Sequence, residues 1–310
     1  MIVTLTPNPV LDRTLTVSHI ELDEVLRATS TRLDWGGKGF NVSRALKALD
    51  TESVAMAFAG GGTGQMLEHG LQTLGIETDF VSVAGETRTN VVVVDQTTGR
   101  HIKVNEAGPS ILPQEHDELL QRIRLRVQLG DLWVLAGSLP PGLPVSFYAE
   151  VIELVQGRGA RAFLDTSGEP LRLGCATQPV LVKPNVAEAQ EITGQRIDSP
   201  HDALIAAGHF LSKGIEMVAL SMGADGLVLA TADQAVWAKP PGVPVTNPTG
   251  AGDSLLAGIV WALQQGLPLH DVARWGVAAG TASALRDGVS AGSRAEVEAI
   301  YQQTLISVLT

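Results

Sequence analysis

Past residue 115 the chain falls into a rhythm of short apolar runs alternating with helical stretches. Leu132 to Ala136 reads as a strand ending in Gly137-Ser138-Leu139-Pro140-Pro141-Gly142. Arg161 to Leu164 ends in Asp165-Thr166-Ser167-Gly168, and Val180 to Val182 ends in Lys183-Pro184-Asn185. Met217 to Leu220 ends in Ser221-Met222-Gly223-Ala224-Asp225-Gly226. Helical stretches intervene over Glu115 to Leu129, Phe147 to Gln156 and from Val186 onward. Runs this short and this apolar, separated by helices, predict a parallel sheet covered on both faces. Ligands of such sheets gather beyond the carboxyl ends of the strands. Asp12, Ser138, Asp165, Lys183, Asn185 and Ser221 each stand just past such an end. Plainer readings exist for single residues. Asn185 followed by Glu188 is capping-box spacing, and Ser138 or Asp165 can cap the helix that follows.

The first third of the chain is organised differently. Ile2 to Leu5 reads as a strand, broken by Thr6-Pro7-Asn8-Pro9-Val10-Leu11-Asp12. Thr14 to Ile20 and Ala28 to Trp35 alternate polar and apolar residues, as half-exposed antiparallel strands do, around the polar turn Glu21 to Arg27. Thr89 to Asp95 and Arg100 to Asn105 flank Gln96-Thr97-Thr98-Gly99, a hairpin pattern. The two pairs predict a small sheet inserted at about 12–35 and 88–106, projecting as a lid from one α/β body over 1–310. Arg88 and Lys103 sit on these strands, where a solvated edge cation is the ordinary reading. Ser53 to Ala59 reads as a strand, followed by the glycine cluster at 60–64 and a helix over Gln65 to Leu74. No internal repeat, low-complexity tract or linker stands out.

A glycine-rich loop, Asn247-Pro248-Thr249-Gly250-Ala251-Gly252-Asp253-Ser254, feeds an apolar helix ending near Gly266. Gly250, Ala251 and Gly252 let an anion approach backbone N–H groups that have no partner inside the helix, where the helix dipole is positive. A carboxylate in that turn would repel a phosphate. It makes sense as a base aimed at a hydroxyl, with the amides holding charge on a phosphoryl group in transfer. The plainer reading is a turn with Asp253 as helix cap. A dinucleotide fingerprint fails because its sixth position is Leu255, and a Walker loop fails because Gly252 is followed by Asp253. A second glycine loop, Gly36-Gly37-Lys38-Gly39-Phe40-Asn41-Val42, enters a helix and can hold a small polar ligand. Asn41 as a cap and Lys38 as a solvated loop lysine are the alternatives.

Bulk properties narrow the class. The 310 residues are 45% hydrophobic and 18% charged, which fits a sizeable core. A net charge of −11 argues against a nucleic-acid surface, so any phosphate site must be built from local cations and amides. The lone Cys175 allows no internal disulfide or cysteine-rich metal site and suits a reducing cytoplasm. Neither a secretory signal nor a membrane-length apolar run is expected.

Taken together and in order, these segments resemble the ribokinase/PfkB-type carbohydrate kinases, in particular the 1-phosphofructokinase and tagatose-6-phosphate kinase branch. The matching stretches are those opening at Thr6, Gly36, Gly137, Asp165, Lys183, Ser221 and Asn247. The resemblance implies a ribokinase-like α/β fold with a β-sheet lid, and transfer of phosphate from ATP with Mg²⁺ to a small phosphosugar. It implies Asp253 as base and Gly250, Ala251 and Gly252 as anion hole. Asp12, Gly37, Lys38 and Asn41 would hold the sugar, and Arg88, Lys103 and Ser138, with Arg27 less directly, its existing phosphate. Lys183, Asn185, Ser221, Gly223 and Gly226 would line the ATP side, and Asn185 and Glu188 would orient Mg²⁺ through water. A homodimer formed through the lid is implied as well. Fructose 1-phosphate is the expected acceptor, with tagatose 6-phosphate and fructose 6-phosphate as alternatives, and a non-catalytic sugar-phosphate sensor as a different class. Val10, Thr249, Met222 and the pair Asn247-Pro248 depart from the usual pattern without removing a chemical group.

Overall fold

The computed structural model describes residues 1–310 apart from 287 and 289. Strand β1 (Ile2–Thr6) is buried throughout and leads into the small sheet through β2 (Val10–Val17) and β3 (Ala28–Gly36). Helix α1 (Lys38–Ala48) returns the chain to the body, where β4 (Val54–Ala59), α2 (Gly61–Thr73) and β5 (Glu77–Ser82) follow. The hairpin β6 (Arg88–Asp95) and β7 (His101–Val104) re-enters the small sheet. Then α3 (Pro113–Arg126), β8 (Leu132–Ala136), α4 (Phe147–Gln156), β9 (Arg161–Asp165) and α5 (Gly168–Ala176) alternate. They are followed by β10 (Leu181–Val182), α6 (Val186–Thr193), α7 (Pro200–Leu211) and β11 (Met217–Ser221). The chain closes with β12 (Leu227–Ala230), β13 (Ala235–Lys239), α8 (Ala251–Gln264), α9 (Leu269–Ala284), α10 (Arg294–Gln303) and β14 (Leu305–Leu309).

The body is one ten-stranded sheet in the order β14-β13-β12-β11-β10-β9-β8-β1-β4-β5. From β5 across to β11 every pair is parallel, as the alternation of strands and helices predicts. Strands β12, β13 and β14 depart from that expectation and pair antiparallel at one edge. Only residues 231–234 separate β12 from β13, far too few for a parallel crossover. Strand β5 was not marked by alternation and forms the opposite edge. Helices α3 to α7 cover one face, packing on Val3, Leu5, Trp133 and Leu135, while α1, α8, α9 and α10 cover the other over Ile2, Val134 and Phe163.

The four-stranded small sheet runs β3-β2-β6-β7. Strand β2 begins at Val10, earlier than the expected Thr14, so Asp12 lies on this sheet and not in a free loop. Helix α2 also starts earlier than expected, inside the third glycine cluster. Its first turn is already occupied, since the Thr63 N–H donates to Glu86 Oε1 at 2.6 Å.

Helices α8 and α9 pack closely, and Trp261 and Trp275 meet with ring centroids 4.3 Å apart. The approach requires Gly258, where a Cβ would lie 2.4 Å from the Trp275 carbonyl oxygen. Gly258→Ala is expected to lower stability by about 2 kcal/mol or more, because backbone rather than a flexible side chain must yield. A lower urea midpoint with an unchanged slope would bear this out; an unchanged midpoint would refute it.

Candidate active site

The apolar stretch after the glycine loop folds as α8 because nearly every residue from Ser254 to Ala262 is buried between the sheet and α9. Gly250 takes the N-cap position at φ +80°, a left-handed conformation suited to glycine. Asp253 is therefore not the cap. Its side chain, 6% exposed, turns toward α1, and its Oδ2 accepts a hydrogen bond from Asn41 Nδ2 at 2.8 Å. The Ala251 N–H closes a turn onto the Pro248 carbonyl at 3.2 Å. The amides of Gly252 and Asp253 remain among the first-turn donors that no intrahelical acceptor can reach.

Asp165, at the end of β9, is fully buried and brings two lysines together. Lys38 Nζ donates to its Oδ1 at 2.9 Å, and Lys183 Nζ lies 3.2 Å from its Oδ2 as an ion contact without an aligned hydrogen bond. Lys38 is the first residue of α1 rather than a solvated loop lysine, and Asn41 lies inside that helix rather than at its cap. A Cβ at Gly252 would stand 3.5 Å from Lys183 Nζ, so this lysine abuts the glycine loop. The lysines and the carboxylates of Asp165 and Asp253 form a compact group of near-zero net charge.

The group settles its own protonation. Burial drives Asp253 up to about 6, further raised by Asp165 and restrained by Lys38, the Asn41 hydrogen bond and Lys183. Asp165 stays below the usual carboxylate range, since Lys183 and Lys38 outweigh its burial. Burial would lower Lys38, but Asp165 and then Asp253 push it well above the ordinary lysine value.

Toward the small sheet, Asp12 Oδ1 accepts from Asn90 Nδ2 at 2.9 Å. Burial raises the Asp12 carboxyl, opposed by Asn90 and Lys103. Gly37 is the N-cap of α1 and accepts from the Asn41 N–H through its carbonyl at 2.9 Å. Arg88 donates to the Asn8, Pro9 and Glu106 carbonyls at 3.0, 3.4 and 3.2 Å, which ties the hairpin to the segment after β1. Ser138 is exposed, with Asn8 Nδ2 3.5 Å from its hydroxyl. Lys103 is exposed on β7, and Arg27 lies in the exposed turn between β2 and β3.

On the other side of Gly252 lies a pocket of about 430 Å³. Asn185, Ser221, Gly223 and Gly226 line it together with apolar Val277 and Leu255. Lys183 is not among its described lining residues. The capping box forms as its spacing suggests: Asn185 Oδ1 accepts from the Glu188 N–H and Glu188 Oε2 from the Asn185 N–H, both at 2.9 Å. Ser221 Oγ donates to the Pro184 carbonyl at 3.4 Å. Among the described residues no group of three or more His, Cys, Asp or Glu can hold a metal ion. A divalent ion here would rely on water and ligand oxygens, which suits Mg²⁺ beside a polyphosphate.

The profile of the pfkB family carbohydrate kinases matches residues 6–296. The chain belongs to this family. It is 36% identical to a 1-phosphofructokinase of Bacillus subtilis over 287 residues, 93% of each chain. It is 32% identical to a tagatose-6-phosphate kinase of Staphylococcus epidermidis over 266 residues, 85% of each. Its fold superposes on phosphofructokinase-2 of Escherichia coli in complex with fructose-6-phosphate with a TM-score of 0.90, at 30% identity, over 97% of this chain and 98% of that one.

In this family member, sequence reasoning left Asn8 and Asn90 out of the site. Both are buried beside Asp12 and Ser138, and each has a side-chain oxygen without a partner. Their signal was a buried asparagine on an apolar strand and another between two prolines, neither distinctive alone. The Asp165 link between the lysines was equally invisible, because pairing across 127 positions has no sequence period.

The Asp253 carboxyl makes a checkable statement about stability. It keeps its proton up to about pH 6 when folded, against 3.8 for an ordinary aspartate. The stability tied to that proton is fully present below the unfolded value and disappears as pH rises through about 6. Asp253→Asn lacks this loss, so its stability relative to the parent should rise by on the order of 2 kcal/mol between about pH 4 and pH 8. Urea unfolding of both proteins at the two pH values measures it; a pH-independent difference would contradict the buried, raised carboxyl.

Proposed function

We propose that this protein is an ATP-dependent phosphosugar kinase that phosphorylates fructose 1-phosphate to fructose 1,6-bisphosphate. The observation that carries this reading is Asp253, a buried carboxylate of raised proton affinity in the first turn of α8, next to Gly252, which lines the pocket of about 430 Å³. Near neutral pH such a group is largely ionised, yet a stronger base than an exposed aspartate. It takes the proton of the acceptor hydroxyl. The Gly250-Ala251-Gly252 turn, through the free amides at its end, and the ammonium groups of Lys183 and Lys38 offset negative charge on the phosphoryl group as it moves.

Asp12, Gly37, Lys38 and Asn41 hold sugar hydroxyls. Lys103, Ser138 and Arg88 face the phosphate already present, with the carbonyl-bound Arg88 serving mainly as a charge. ATP occupies the pocket of about 430 Å³, its phosphates toward Gly252 and its base among the apolar residues beyond Ser221, Gly223 and Gly226. Asn185 and Glu188 would hold Mg²⁺ through water, and the ion would supply charge neutralisation on the phosphates. Closure of the small sheet as a lid excludes water and limits ATP hydrolysis. Tagatose 6-phosphate and fructose 6-phosphate are the competing acceptors, and the kinship to a tagatose-6-phosphate kinase favours testing the first. The supply of ATP and phosphosugar puts the proposed reaction in the cytoplasm.

A coupled ADP-release assay with the three phosphoketoses should give the highest kcat/KM with fructose 1-phosphate. No turnover with any would end the phosphosugar reading. Asp253→Asn should bind the sugar and ATP yet lose turnover by a factor of 10² or more. Near-normal turnover would remove Asp253 as the base.

The small sheet also exposes Ile102 (45%) and Val104 (59%) on β7. We infer that this edge pairs with a second copy of the chain, which would bury them. Ile102→Glu is expected to shift the parent dimer to monomer in light scattering. A parent that is already monomeric at assay concentration, or a variant of unchanged mass, would refute this interface.

A further inference from the structure

Arg44 touches neither substrate in the proposed reaction, yet its guanidinium lies two hydrogen bonds away from the base, through Asn41. It sits on α1, one turn after Asn41. Its NH1 group donates to Asn41 Oδ1 at 3.2 Å, and its NH2 group donates to the Trp35 carbonyl. The Asn41 amide in turn donates from Nδ2 to Asp253 Oδ2 at 2.8 Å. An asparagine amide can turn over with little change of shape, exchanging its oxygen for its NH₂. Turned over here, it would present an oxygen to the carboxylate and destroy the hydrogen bond. Guanidinium has only donors, so it can hold the amide in one orientation alone.

We propose that Arg44 is a positioning residue that locks the Asn41 amide with its NH₂ toward Asp253, and so keeps the carboxylate ionised and aimed. The inference rests on the reading of Asp253 as base and extends it by one residue. The lock has a rigid anchor. Trp35 lies on β3, one residue before its end, and its indole packs where α2 has Gly70, at which a Cβ would fall 2.4 Å from the ring. The foot of the small sheet is thereby joined through Arg44 and Asn41 to the mouth of α8.

Charged groups around this path are few and named. Lys38, Lys183 and Asp165 act on Asp253, while Asp34 and Asp12 face Arg44. Lys47, on the same helix, shares with Arg44 and Asp34 the wall of a groove of about 360 Å³. Removal of Arg44 therefore takes away a positive charge as well as a lock, and the test has to separate them.

Titration of the Asp253 side-chain carboxyl carbon by NMR in ¹³C-aspartate-labelled protein does so. The parent midpoint is expected near 6. Arg44→Met should raise it by about 1 pH unit, as loss of one hydrogen bond to the charged form would. In an Asn41→Ala background the same change should move it by less than about 0.3, since no amide is left to orient. In turnover, Arg44→Met should fall about fivefold near pH 6 and recover to within about threefold near pH 8.5. A merely structural defect would depress kcat alike at both pH values. An unchanged midpoint, or an equal shift in both backgrounds, overturns the proposal. Should near-UV circular dichroism find Arg44→Met unfolded, Arg44→Lys carries the same cycle, with a smaller shift of the same sign and the same dependence on Asn41. The titration needs no substrate, so a chain inert toward every phosphoketose would sink the functional reading and leave this result to stand or fall separately.

Discussion

A fully buried aspartate, Asp165, gripped by Lys38 and Lys183, is the constraint on which the rest of the site depends. Lys183 is nearly as buried as the aspartate itself, and an unpaired ammonium there would be severely destabilising. Pairing solves that, and it fixes both ammonium groups where phosphoryl charge would pass. A second carboxylate, Asp253, then shares the same low-dielectric volume. Its raised proton affinity follows from burial and from Asp165, moderated by the cations. In the proposed reaction, strength as a base and charge stabilisation thus come from one arrangement of four ionisable side chains.

The fold brings those groups together from distant stretches of chain. Asp165 and Lys183 come from the carboxyl ends of adjacent parallel strands. Lys38 opens α1, and Asp253 lies in the first turn of α8, two helices on the same face of the sheet. The close packing of α8 on α9 leaves the mouth of α8 little freedom to move. A protein of net charge −11 would bind anions at this group only because neutralisation is local.

Much of this was legible in residue patterns. The loop from Asn247 to Ser254 and the polar residues past each strand marked one edge of the sheet, because glycine and strand-end chemistry are local, and the fold gathers Lys38, Asp165 and Lys183 there. The hairpin at 96–99 and the helix over Phe147–Gln156 were marked for the same reason. Less local features escaped. Strands β12 to β14 were not read at all, and they pair antiparallel because strand polarity depends on connection length and partners rather than on composition. The helix expected from Gln65 begins at Gly61, inside the glycine cluster, where Glu86 from a distant loop holds its first turn.

The sequence by itself determined the class of sheet, the edge at which chemistry gathers and the residue types present there, because periodicity, glycine and capping act over a few residues. Only the tertiary structure decided which charges meet. Asp165 between two lysines, Asn41 on Asp253 and Arg44 behind Asn41 are contacts across sequence separations that no local pattern encodes. The physical reason is that proton affinity and hydrogen-bond direction belong to a neighbourhood in space, and burial in that neighbourhood exists only once the sheet and helices have packed.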